Sequence, residues 1–184
     1  MAFARKAAKK TTLSEAALYD YAVRALGRQM RSEAELRRLM TTRAEPGERG
    51  EAAVRSVIAR LKEHGYLNDQ SFAETYARLR QENEKLGARR IRQDLRQKGI
   101  RSEVVEEAVA ARYGETNEET LARAHLERKR IKKPENEKEA ARVVRRLVAA
   151  GFSTGTIYKI LRQWQVPEES LTGLENLEAE RGEE

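Results

Sequence analysis

The chain contains no cysteine. That removes disulfides, thiolate catalysis and Cys-ligated zinc from consideration. Aromatic residues make up only 5% and hydrophobic residues 39% of the 184 positions, so a single large compact core is not expected. Thin modules that bury little per residue suit this composition better. No apolar run is long enough to span a membrane, and the first residues lack the apolar centre of a signal peptide. A cytoplasmic protein with no membrane partner is expected. The two histidines, His64 and His125, are far apart. His64 reads as a helix-end residue and His125 as a packing residue. No His/Cys/carboxylate cluster has metal spacing, and no glycine-rich phosphate loop occurs. The adjacent pairs Glu106-Glu107 and Glu118-Glu119 read as helix-surface charge. These absences argue against an enzyme, and neither cofactor nor metal is expected.

What is present is charge and repetition. Charged residues reach 36% and the net charge is +7. The charge is unevenly placed, because residues 168–184 hold seven Glu and one Arg. The rest of the chain is more basic than the total, which favours a polyanionic partner. The block Ala88–Ile100 returns fifty-two positions later as Ala140–Phe152. Each copy is an amphipathic stretch ended by a glycine, then an apolar residue, then Ser or Thr. Such a period marks small helical modules in a row.

The apolar spacing predicts nine helices. Ser14 is the expected cap of the first and Gly27 its stop, with Leu18, Tyr21, Ala22, Ala25 and Leu26 inward. Ser32 and Glu35 have capping-box spacing before Leu36, Leu39 and Met40. Ala44–Gly50 reads as a loop, and Ala53, Val54, Val57, Ile58 and Leu61 precede a stop at Gly65. Asp69 or Ser71 opens the next helix, with Phe72, Tyr76 and Leu79 inward. After a break at Lys85-Leu86-Gly87 come Ala88, Ile91 and Leu95, then Gly99. Ser102 is the expected cap before Val105, Ala108 and Val109. Thr116 with Glu119, Asn136 with Glu139, and Thr154 read as the last three helix starts. Their inward residues are Leu121 and Ala124; Ala140, Val143, Val144 and Leu147; and Ile157, Ile160, Leu161 and Trp164. Alternation of the strand type is missing. The expected fold is all-α: an elongated array of three tandem three-helix repeats over residues 14–66, 67–115 and 116–167. A mobile basic tail at 1–13 and a flexible acidic tail at 168–184 flank it, with Pro167 ending the folded part.

The positive charge falls in rows. Arg89, Arg92 and Arg96 occupy one narrow sector of their helix, about 100° from Ile91 and Leu95. Lys98 and Arg101 extend the row. A second set comprises Arg128, Lys129, Arg130, Lys132 and Lys133 in a connector, then Arg142, Arg145 and Arg146 opposite Val143 and Leu147. Acidic partners at i+4 are mostly missing from the first row. Arginine suits planar contacts to phosphate or carboxylate.

The stretch Phe72–Arg78 followed by Leu86–Ile100 resembles the central motif of the RecX regulatory proteins. Gly65–Asp69 before it and Lys138–Ser153 after it are similar too, in the same order. The resemblance implies three three-helix repeats that bind the RecA recombinase as its nucleoprotein filament and restrain its ATPase and strand exchange. It implies no catalytic centre. A monomer with weak, non-specific binding to single- or double-stranded DNA is expected. The other reading is a basic module acting directly on DNA, with Gly151–Trp164 as a recognition helix offering Lys159, Arg162 and Gln163. Residues 168–184 could also fold back on the basic rows.

Overall fold

The computed structural model describes residues 12–166. The expected basic arm, apart from Thr12 and Leu13, lies outside the described residues, as do Pro167 and the acidic segment. The described residues form nine α-helices and no strand. They are α1 (Glu15–Arg28), α2 (Glu33–Thr41), α3 (Glu48–Glu63), α4 (Asp69–Glu84), α5 (Ala88–Gln97), α6 (Ser102–Tyr113), α7 (Glu118–Arg128), α8 (Glu137–Ala149) and α9 (Thr154–Gln163).

The chain divides into two compact units. Among the described residues, one holds residues 12–72 together with 98–100, and the other holds 73–97 with 101–166. In the first, α1 and α2 pack on α3 around fully buried Leu18, Leu36, Met40, Val57 and Leu61. The Ser32 hydroxyl accepts from the Glu35 N–H while the Glu35 carboxylate accepts from the Ser32 N–H, so the capping box is complete. Gly65 takes φ +72° and lets α3 end in a reversed turn, where the Tyr66 N–H reaches the Leu61 carbonyl. Gly27 does not stop α1; the helix continues through Arg28 to a cap at Gln29. An exposed glycine without a left-handed φ merely weakens a helix.

In the second unit α5 packs on α6, and α7 and α8 pack on α9. Phe152, Leu147, Ile157, Ile160 and Leu161 form the centre of its α7–α9 core. Several helix starts sit one residue from their sequence-based position. Asn68 caps α4 through a bond from the Ser71 N–H, Asn117 caps α7 from Thr120, and Ser153 caps α9 from Thr156. Ser102 does not cap α6; Arg101 holds that position without a side-chain bond. Where Ser, Thr and Asn lie side by side, propensity alone does not select among them. On α4 the buried face is Phe72, Ala73, Ala77 and Gln81, while Leu79 is 40% exposed. Small alanines allow close approach there, and Tyr76 instead turns its hydroxyl to Asp94, 3.0 Å away.

Gly87 and Gly151 meet. The Gly87 N–H donates to the Ala150 carbonyl at 2.8 Å, and a Cβ on Gly87 would lie 2.3 Å from the Gly151 oxygen. Gly151 takes φ +88°, and a Cβ there would lie 2.2 Å from the Arg90 nitrogen. Tyr113 adds a bond from its hydroxyl to the Leu86 carbonyl. The end of α8 is thus set directly on the start of α5, main chain against main chain.

Glu118, read from the sequence as surface charge, joins α7 to the start of α9. It accepts from the Ser153 N–H at 2.9 Å, from the Thr156 hydroxyl at 2.5 Å and from the Ser153 hydroxyl. Burial pushes its carboxyl up, but these bonds and the Arg89 charge outweigh that and hold it below its ordinary 4.5. The stabilisation from a carboxylate depressed on folding is complete above its unfolded value and is lost as pH falls through the folded value. Stability should therefore decline as pH drops from 4.5, and Glu118→Gln should flatten that decline while costing roughly 1–3 kcal/mol at neutral pH. Urea titrations at pH 3.5 and 7 check both; equal pH slopes for the two proteins would contradict the assignment.

Candidate functional site

The cationic residues fall into two classes by what surrounds them. In the α5 row, Arg92 Nε donates to one oxygen of Glu106 at 2.8 Å and Arg96 Nη2 to the other at 3.0 Å. Glu106 comes from α6, so the acidic partner absent at i+4 is supplied by the next helix. The Arg89 charge acts on Glu118. Arg90 is held by Asp94 at 2.8 Å. Lys98 is more than half covered; its Nζ lies 2.7 Å from Glu35 and 5.7 Å from the centre of the Phe72 ring. Its setting is that of an internal tie in the first unit. Arg101 is exposed at the start of α6.

The α7–α8 set differs. Arg128, Lys129, Arg130, Lys132, Lys133, Arg142, Arg145 and Arg146 are all exposed. Among the described residues none of them has an ion pair or a side-chain hydrogen bond, although Arg123, Lys159, Arg112 and Arg80 in the same unit all do. In the first unit, Arg43 and Arg60 lie 4.4 and 4.5 Å from the centres of the Tyr21 and Tyr19 rings. The fold explains the contrast. Pro134, itself buried, keeps the connector between α7 and α8 out of helix, and Arg130 takes φ +53°. The side chains of this segment consequently lack the i, i+4 neighbours that pair charges on helices. On α8 the acids lie in the first turn, at Glu137 and Glu139, and the arginines in the later turns. This suits the helix dipole at both ends and leaves Arg145 and Arg146 with no acid one turn away, while Glu139, three residues before Arg142, accepts from the Glu135 N–H instead.

His125 is buried against Phe152 and donates from Nδ1 to the Glu84 carbonyl at 3.0 Å. Burial, with Lys129 and Arg128 close by, pushes its pKa down, so it is neutral at pH 7. His64 caps α3 and shares a 2.8 Å hydrogen bond with Tyr19. Among the described residues no group of three or more His, Asp or Glu is placed to hold a metal. No helix there is long and apolar enough to cross a membrane. On α9, Lys159 and Gln163 are both engaged by Glu119, at 2.8 and 3.1 Å.

Glu106 offers a test of the first row. Glu106→Gln releases two guanidinium groups and loses only exposed ion pairs, worth about 0–1 kcal/mol each. Retention on a heparin column should rise, with an elution shift toward higher salt and an almost unchanged Tm. Earlier elution would show that the Arg92 and Arg96 charges do not face a polyanion.

Comparison with known proteins fixes the family. A family model described as RecX, second three-helix domain, matches residues 68–109. A regulatory protein RecX of Myxococcus xanthus is 32% identical over 157 residues, covering 78% of this chain and 83% of its own length. The chain belongs to the RecX family. A second relative, a regulatory protein RecX of Mycolicibacterium vanbaalenii, is 33% identical over 129 residues and 68% of each chain. Solved RecX structures share the fold. One, described as the crystal structure of regulatory protein RecX, has a TM-score of 0.65 at 24% identity over 81% of this chain and 71% of its own. RecX from Lactobacillus salivarius has a TM-score of 0.64 at 21% identity, over 82% of this chain and 96% of its own. The helical-repeat fold and the family read from the Phe72–Ile100 motif are both borne out. The RecX relatives are regulatory proteins by name.

Proposed function

We propose that this chain regulates the RecA recombinase: it binds the RecA–DNA filament in the cytosol as a monomer and restrains ATP hydrolysis and strand exchange, with no catalytic centre of its own. The observation that carries this reading is the α7–α8 surface, eight cations without ion partners among the described residues. In a member of a regulatory family, an unsatisfied cationic surface is a place for an acidic protein face or filament phosphates. The α5 row is a second contact, reached by exchange of Glu106 for the filament's own anions. The engagement of Lys159 and Gln163 by Glu119 speaks against α9 as a DNA recognition helix.

The test is RecA ATP hydrolysis on single-stranded DNA with increasing protein. Inhibition at or below stoichiometric ratios is expected. Full activity at a molar excess, or sequence-selective nanomolar DNA binding without RecA, would reject the proposal.

A further inference from the structure

A groove of about 490 Å³ opens in the second unit, lined by the ends of α4, α7 and α8 and the start of α5. Leu86, Ile131, Ala149 and Ala150 give it an apolar side, and the His125 imidazole also lines it. Its rim carries Arg90, Lys129 and Arg146. The acid that also lines it, Glu84, is ion-paired with Arg80. Lys129 and Arg146 have no ion partner among the described residues, and Arg128, Arg130, Lys132 and Lys133 flank Lys129 in the same segment. The groove therefore fits an extended ligand that is acidic and also carries apolar side chains.

The chain contains such a ligand. Residues 168–184 hold seven Glu and one Arg, with leucines at 171, 174 and 177. Glu175, Glu178 and Glu180 are interspersed with these leucines, so apolar and acidic groups recur together along the segment. The segment also starts nearby. Val166, the last described residue, lines a second hollow with Lys133 and Pro134. Ile131 of the groove's apolar side is only two residues before Lys133, a span of at most about 7 Å. Eight residues from Val166 to Leu174 reach as far as about 27 Å.

We propose that residues 168–184 dock in this groove as an internal polyanion, with leucines on the apolar side and glutamates at Lys129 and Arg146. An acidic ligand from outside has to displace the segment. The device thereby sets a threshold that weak or sparse polyanions do not cross. This goes beyond the proposed function and holds whatever the external partner is.

The absence of cysteine makes the test direct. Asn176→Cys in the full chain takes a single nitroxide label, and the amide signals of the 15N-labelled protein report its position. At about 50 mM salt, a Debye length near 14 Å leaves the attraction largely intact. The signals of Ile131, Ala149 and Ala150 should then lose more than half their intensity. At 500 mM salt they should recover. Lys129→Glu with Arg146→Glu should restore them at low salt, and Leu174→Ser with Leu177→Ser should weaken the effect at least threefold. Arg28→Glu, in the other unit, should change nothing. The same amide spectra show whether each variant is folded. Absence of attenuation at low salt overturns the proposal, as does attenuation spread evenly over basic residues or untouched by either double variant. Attenuation between spin-labelled unenriched protein and an unlabelled 15N copy would assign the groove to a second molecule and overturn it too.

Discussion

A variant carrying Glu in place of Lys129, Lys132, Arg142 and Arg146 should need roughly a hundredfold more protein to half-inhibit RecA ATP hydrolysis, since four exposed charges at up to about 1 kcal/mol each sum to near 3 kcal/mol. All four are exposed, and none has an ion partner among the described residues. Helix content and Tm should therefore match the parent. The loss should lie mainly in association rate and shrink at high salt, because rim charges steer encounter more than they hold the complex. Reversal of Arg92 and Arg96 is a weaker and less clean experiment. It places new acids beside Glu106, so a fall in activity would mix lost contact with repulsion inside the α5–α6 pair. Stopped-flow binding to preformed filaments, at two salt concentrations, checks the first variant. An unchanged inhibition constant would remove the α7–α8 surface from the interface.

Gly151→Ala should be the most damaging small substitution in the second unit. The new methyl would sit 2.2 Å from the Arg90 nitrogen and 2.5 Å from its Cβ, on a backbone at φ +88°. The conformation alone costs about 1 kcal/mol for a non-glycine residue, and the overlap is with main chain, which does not rotate away. A total of about 3–5 kcal/mol is expected, a drop in Tm on the order of 6–20 °C for a chain of this size. Gly155→Ala is the control. A Cβ added there would meet no other part of the chain within 4 Å, and the position is helical and exposed. It should stabilise by up to about 1 kcal/mol. Calorimetry on the pair separates the sites; equal melting temperatures would contradict the main-chain contact.

The helices were legible in the sequence because each carries its own signal. Leu36 with Met40, Ile91 with Leu95, and Val143 with Leu147 keep the helical period, and the glycine stops at 65, 99 and 151 each take a positive φ. The capping box at Ser32 was legible for the same reason, since both partners lie within one turn. What spacing could not supply was contact between distant segments. Glu106 as the partner of two α5 arginines, Glu118 as the tie to Ser153 and Thr156, and Gly87 against Gly151 all depend on how separate helices come together. The Ala73–Ala77 spacing was the available hint that α4 buries small residues rather than Leu79. The division of the cations into engaged and unengaged sets followed from the same cause: a helix-by-helix reading sees acids one turn away and no others.

The meeting of Gly87 and Ala150 has an evolutionary corollary. A hinge pin made of amides and carbonyls is indifferent to the side chains displayed around it, provided two positions stay bare. The outer faces of α8 and of the segment before it are then free to be rewritten, charge by charge, without re-aiming the scaffold. Arg142, Arg145 and Arg146 can be exchanged one at a time and leave the carpentry beneath them as it was.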